Sequence, residues 1–313
     1  MIGMKKIVLG LLLSLTLLFG DWNATKKFTD EVSHRYCKKA TKSYFRFLNG
    51  VDMLLGGSKD LNRTSYRELR KSRLLLIFSL KDNSKFNLHL RGKFILPQLK
   101  NKIELTLSQD DKHQMDNQES VQKNDDVIED KKMRVGLKYY FLRQKRSSVY
   151  AKLNLKLSKP FGPYLKLGLE KSHLSKSYLE TTFDNAIYYY PSGNQLSASS
   201  SLAFFKYINN YYFIGQGNKL YYKGHDRLYL NNTLLLHQVF DLYNRIIYKL
   251  EYSTSYSKKE RLNEEAFALS AGYFHRFDKH FFLEVIPKFR QEREKRYRDE
   301  ALVSVNFGIL LSK

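Results

Sequence analysis

The chain is short of cysteine, of tryptophan, of long apolar runs beyond its first residues, and of acids relative to bases. It has one cysteine, Cys37, so an internal disulfide framework is impossible. After Gly20 no apolar stretch approaches the roughly 18 residues that a membrane-crossing helix needs. The mean hydropathy of −0.49 also excludes a helical membrane protein, while suiting a barrel whose inner side is polar. Catalytic signatures are missing too: there is no Gly-x-Ser-x-Gly elbow, no His-Glu-x-x-His helix and no phosphate-binding glycine loop. The sequence therefore points away from an enzyme, and no cofactor or metal site is expected.

Charge and export come next. Lys and Arg number 54 against 31 Asp and Glu, for a net charge of +23. Such an excess attracts anions: nucleic acid, lipid phosphates or acidic solutes. Lys5 and Lys6, the uncharged run Ile7 to Phe19, small Gly20 and polar Asp21 read together as a secretory signal peptide over residues 1–20. Export makes nucleic acid the least expected of the anionic partners.

Residues 21–66 read as an N-terminal helical segment and linker. Phe28, Val32, Tyr36, Ala40 and Tyr44 recur every four residues, with Phe45 and Leu48 extending the stripe. Lys26, Lys27, Arg35, Lys38, Lys39, Lys42 and Arg46 occupy the other face. The pattern predicts an amphipathic helix from Thr25 to about Leu55, interrupted at Asn49-Gly50. Three places suit it: inside a barrel, as a cap on its mouth, or on anionic lipid. Cys37 lies beside the stripe and is expected to be a packed residue.

Residues 67–313 alternate with a period of two. Met133, Val135, Leu137, Tyr139 and Phe141 alternate with Arg134, Gly136, Lys138 and Tyr140. Ala301, Val303, Val305, Phe307, Ile309 and Leu311 alternate with Leu302, Ser304, Asn306, Gly308 and Leu310. A period of two puts the two sets on opposite faces of a strand. Strands are expected at 68–81, 84–96, 100–109, 131–142, 147–158, 162–173, 176–190, 195–208, 210–223, 227–239, 242–257, 263–277, 279–294 and 298–312. This length suits a tilted bilayer crossing better than a soluble sandwich. The fold class is all-β: an antiparallel transmembrane β-barrel of about 12–14 strands with a short N-terminal helical segment at or inside one mouth. Tyrosines cluster near strand ends, as at Tyr188-Tyr189-Tyr190 and Tyr221-Tyr222, where interfacial girdles belong. The acidic stretch Gln109 to Lys132 is expected as a long outer loop.

With the apolar set turned outward, the inward set includes Arg91, Lys93, Lys102, Arg134, Lys138, Lys152, Lys156, Lys166, Lys249, Lys288 and Arg290. The inward acids are Glu104, Glu170, Glu251 and Glu284. The expected lumen is electropositive with some internal ion pairs. Weaker signals are Gly215-Gln216-Gly217, expected as a bend or bulge; the loop pair His225-Asp226; and the strand histidines His237 and His275, which could serve a hydrolase only with an acidic pair or serine that the sequence does not supply.

From Arg70 onward the chain resembles the Gram-negative outer-membrane β-barrel class. Ala301 to Leu311 resembles the C-terminal strand read by barrel-assembly machinery, although Ser312-Lys313 follow where a terminal aromatic is expected. The stretch from Arg70-Lys71-Ser72-Arg73-Leu74 through Leu90-Arg91-Gly92-Lys93-Phe94-Ile95-Leu96-Pro97 is similar to a group of uncharacterised proteobacterial barrel proteins and implies no activity. The resemblance implies residence in the outer membrane, with outer-membrane lipid, lipopolysaccharide and the assembly machinery as partners. The leading expectation is a porin-like channel favouring anionic or small polar solutes. A non-conducting structural or interaction barrel is the alternative, and an outer-membrane hydrolase the third.

Overall fold

The structure is a computed structural model describing residues 37–56, 69, 71–81, 85–97, 102–109, 133–157, 162–175, 178–223, 227–257, 261–293 and 296–311. Among the described residues the helix α1 (Lys38–Gly56) precedes the strands β1 (Arg73–Lys81), β2 (Lys85–Leu96), β3 (Ile103–Gln109), β4 (Met133–Arg143) and β5 (Ser147–Lys156). The chain continues through β6 (Gly162–Leu174), β7 (Leu179–Tyr190), β8 (Gln195–Tyr207), β9 (Tyr212–Lys223) and β10 (Arg227–Val239). It ends with β11 (Asn244–Ser257), β12 (Arg261–Arg276), β13 (Phe281–Glu292) and β14 (Glu300–Leu311). Each strand pairs antiparallel with its sequence neighbours, and β1 pairs with β14, so the sheet closes and leaves no edge. The signal-peptide reading, the Gln109–Lys132 loop beyond its first residue and His225-Asp226 lie outside the described residues.

The sequence alternation is the alternation of the wall. On β4, Gly136, Lys138 and Tyr140 are buried, while Leu137 and Tyr139 are exposed. The register carries each set round the barrel: Thr106 pairs with Gly136 and Gly136 with Asn154, all on the inner face. The outer face is an apolar belt, with Leu137 45%, Leu153 53%, Ile187 50% and Leu269 51% exposed. So much exposed apolar area requires a nonaqueous surround, and its continuity around a closed barrel matches a bilayer. Tyr139, Phe141, Tyr211 and Tyr243 ring the end that holds the start of β1 and the end of β14; Tyr189, Tyr222 and Tyr256 lie toward the other end. No described helix is long and apolar enough to cross a membrane.

Three turns at the terminal end share one device. Asn209, Asp241 and Asp278 each accept two backbone N–H bonds from residues two and three ahead: Tyr211 and Tyr212, Tyr243 and Asn244, His280 and Phe281. A short acceptor side chain replaces the missing sheet partner there. The bonds from Asn244 and Tyr243 hold the Asp241 carboxyl below its ordinary range.

Gly215-Gln216-Gly217 is neither a bend nor a bulge, because the register on both sides of β9 runs through it unbroken. A Cβ on Gly215 would meet the Phe205 and Leu235 side chains at 3.0 and 3.1 Å, so glycine there serves close packing. Register shifts fall instead between Tyr140 and Leu142 and between Ser253 and Thr254.

α1 corrects two expectations. It runs through Asn49-Gly50 without a break. Asn49 Nδ2 reaches Met53 Sδ four residues on, and Gly50 is exposed, so no packing is lost there. The helical cost of one glycine, about 1 kcal/mol, is smaller than the gain from burying the neighbouring Tyr44, Phe45 and Leu48. The residues from Thr25 to Tyr36 lie outside the described chain.

The second correction concerns place. Tyr44, Phe45 and Leu48 pack with Leu69 and Leu311, and against Leu74, Phe94 and Ile309. Leu74, Ile309 and Leu311 share the outward register of Leu80 and Val303, which are exposed apolar residues; Phe94 shares that of exposed Leu88. The described helix therefore lies against the outer wall beside the closing strands, not in the lumen or over its mouth. Successive residues there serve opposite sides: Leu74 packs on α1, while Leu75 joins Ile77, Phe274, Phe282 and Leu310 inside. Cys37 is a packed residue at the start of the helix; burial, and then the Asp278 carboxylate, push its thiol up to about 11.

Candidate functional site in the barrel interior

The barrel interior is built in unlike sectors. Near the terminal end, β8 to β11 hold an apolar cluster of Ala203, Phe205, Phe213, Leu235 and Ile247. Near the same end, β12 to β14 and β1 hold a second apolar cluster, with Phe274 stacked on Phe282 at 5.3 Å between ring centroids. Toward the end away from the termini, Tyr164, Tyr188, Tyr221 and Tyr229 form a chain of rings with Tyr190 against it. One charged set lies on β11 and β13, and a second lies in the sector from β3 to β6.

There the register sets Lys138 opposite Lys152, and Lys152 opposite Lys166. Three lysines thus stand side by side across β4, β5 and β6. Like charges directly opposite on a sheet destabilise it. Around the row sits a set of groups that moderates the repulsion. Lys138 Nζ donates to Glu170 Oε1 at 3.1 Å, and the Ser148 hydroxyl donates to Glu170 Oε2 at 3.0 Å. Lys138 Nζ also lies 3.6 Å from the centroid of the Tyr150 ring and 4.7 Å from that of Tyr140. Lys166 Nζ lies 5.3 Å from the Tyr188 ring centroid. These are cation–π distances, and such contacts strengthen where water is scarce. The Tyr150 ring occupies the space a Cβ on Gly168 would take, so glycine at 168 is what lets that ring lie against the wall.

Each interior acid named by the sequence has polar partners. Glu104 Oε2 accepts from the Tyr140 hydroxyl at 3.0 Å and faces Lys93 at 3.4 Å and Arg143 at 3.9 Å. Glu251 joins Lys249 at 2.8 Å and Lys288 at 3.1 Å. Glu284 accepts from Asn306 Nδ2 at 2.9 Å. Arg134 lies 5.5 Å from the Tyr164 ring centroid. By register Arg91 and Arg290 also face inward, and Arg290 pairs with Glu292. Lys156 sits at an inward register position opposite Arg134. Lys102 differs from the rest: it precedes β3 and is exposed at the terminal end.

The sequence reading missed other interior charges. Lys219 pairs in register with Ser201 and Asn231, Asp184 with Glu170 and Ser201, and Arg245 lies 4.1 Å from the Phe274 ring centroid. β9 hides Lys219 because polar Asn218 precedes it on the outward face, so the local alternation is not apolar against polar.

The histidines fall apart. His237 is buried on the inner face, its ring 4.4 Å from that of Phe213. His275 lies on the outward register with Leu283 and bonds Asn244 Oδ1 through Nδ1 at 2.7 Å, with its ring against Phe277. The two therefore occupy opposite faces of the wall. Among the described residues no group of three His, Cys, Asp or Glu side chains comes together to hold a metal. An open groove of about 650 Å³ is lined by the outward-register side chains Leu167, Leu169, Ile187, Leu220 and Tyr222, together with Tyr150, Gly168, Ala186 and Ser199 of the wall itself. It belongs to the outer wall and not to the interior.

No protein family matches the chain, and no curated protein matches it. Solved structures similar to it include a bacterial polysaccharide outer membrane secretin, at 11% identity over 78% of this chain and 99% of that one, with a TM-score of 0.47. The outer membrane channel DcaP of Acinetobacter baumannii is similar at 7% identity over 76% of this chain and 94% of that one, TM-score 0.42. The KdgM porin is similar at 8% identity over 77% and 99%, TM-score 0.39.

Proposed function

We propose that the protein is an outer-membrane channel whose interior favours anionic or small polar solutes over cations. The observation that carries this reading is the row Lys138, Lys152 and Lys166 on neighbouring strands. A row of like charges works against folding, and local violations of this kind concentrate where function requires them. In a narrow aqueous lumen the row raises local anion concentration. The tyrosine hydroxyls and rings beside it offer neutral contacts that let a solute leave again. The position of α1 supports an open path, because the described helix packs on the outer wall and takes up no lumen.

The test is single-channel recording of the full-length protein in a planar bilayer. Conductance with an anion preference supports the reading; absence of conductance under all salt conditions sinks it. A second reading, a non-conducting structural or interaction barrel, draws on the buried interior clusters around Phe205 and Phe282, which fill part of the lumen near the terminal end. A silent but folded barrel would favour it. An outer-membrane hydrolase stands third: His237 packs on Phe213 on the inner face, away from a lipid substrate.

A further inference from the structure

α1 has two flanks of different chemistry. Its buried stripe is Cys37, Thr41, Tyr44, Phe45, Leu48 and Asp52, which faces the wall. At about 100° per residue, Lys38, Lys42, Arg46 and Lys39 fall on one side of that stripe, while Ala40 and Phe47 fall on the other. All six are exposed, and Phe47 is 67% exposed. No acid lies among the exposed residues from Lys38 to Phe47. The wall beneath the helix is the lipid-facing one, at the end of the barrel that holds the start of β1 and the end of β14.

We infer that α1 binds the anionic headgroups of bilayer phospholipids, lying in the plane of the membrane surface at the foot of the barrel. A helix in that plane needs one flank toward acyl chains and the other toward phosphates. Phe47 is the acyl-side residue; Lys38, Lys39, Lys42 and Arg46 are the headgroup-side residues. The charge match and the continuity with the apolar belt both select lipid as the occupant, since a helix docked on a lipid-facing wall meets lipid on the sides it leaves open. The inference rests on the bilayer reading of the outer wall and is independent of conduction.

The test places the reporter Phe47→Trp in full-length protein carrying Trp22→Phe, refolded into vesicles of phosphatidylcholine with or without phosphatidylglycerol. With phosphatidylglycerol present, acyl-chain bromines should quench Trp emission, and aqueous iodide should quench it several-fold less than in phosphatidylcholine alone. Raising NaCl to about 1 M, where the screening length falls to about 3 Å, should remove that difference. So should replacing Lys38, Lys39, Lys42 and Arg46 by Gln, which leaves the buried stripe intact; barrel folding is checked by the heat-dependent gel shift. Equal iodide quenching in the two vesicle types would overturn the proposal. Full reproduction of the effect by inorganic phosphate added to phosphatidylcholine vesicles would also overturn it, by assigning the site to a free anion. Single-channel recordings on the same samples keep this result separate from the channel reading.

Discussion

The seam sector and the lysine-row sector of one barrel follow opposite rules. Where β12, β13, β14 and β1 meet, both faces of the wall are packed: Phe274 and Phe282 stack inside, and Leu48 of α1 covers Leu74 and Leu311 outside. Where β4, β5 and β6 meet, the inner face holds three lysines abreast, and the outer face at Leu153 and Leu167 carries no described cover. The seam joins the first strand to the last, the longest-range pairing in the chain, and it gathers apolar contacts to hold that pairing. The row sector has only local hairpins to close, so it can tolerate repulsion. The difference teaches which part of the wall is organised for stability and which departs from it.

Breaking the seam should have the largest effect. Phe282→Ala removes a ring that is 2% exposed and fills the space over Gly308. It should destabilise the barrel by about 3–5 kcal/mol, read as a lower urea midpoint in detergent micelles. Leu48→Ala, on the outer side of the same seam, should cost about 2–4 kcal/mol of docking, read as faster proteolysis within α1 while the strands stay protected. If both variants matched wild type, the seam would not be the packed sector.

Cys37 gives a milder handle on the same region. Its folded value of about 11 lies above the ordinary 9.0, so the fold favours the neutral thiol. That contribution is fully present below pH 9 and is lost as pH rises toward 11. Alkylation by iodoacetamide near pH 8 should therefore be on the order of a hundredfold slower in the folded protein than after unfolding, and should accelerate through pH 11. A pH-independent rate would show that access, not ionisation, controls the thiol.

The smallest effect, and the one of opposite sign, belongs to the row. Lys152→Met removes the middle charge and should stabilise the barrel by a few tenths to about 1 kcal/mol. Urea midpoints compare it directly with Phe282→Ala. A clear loss of stability would mean that the lysines are mutually supported, and the contrast between the sectors would fail.

The strands were legible because their alternation is regular: β10 has the expected bounds, 227–239, and the expected set closes as a barrel. Lys138 and Lys166 could be assigned a face for the same reason. Their lateral alignment with Lys152 could not, because register depends on turn geometry that a period of two does not encode. The period of α1 exposes its buried face but not its partner, so a helix on the outer wall and one at the mouth look alike in sequence. Lys219 escaped because Asn218, beside it, is polar on the outward side.

The most direct test of the central claim is the reversal potential across a planar bilayer under a KCl gradient, for wild type and for the combined Lys138→Gln, Lys152→Gln, Lys166→Gln variant. The account predicts a chloride-preferring wild type whose preference largely disappears in the variant while its conductance persists. An unchanged reversal potential in a folded, conducting variant would contradict it.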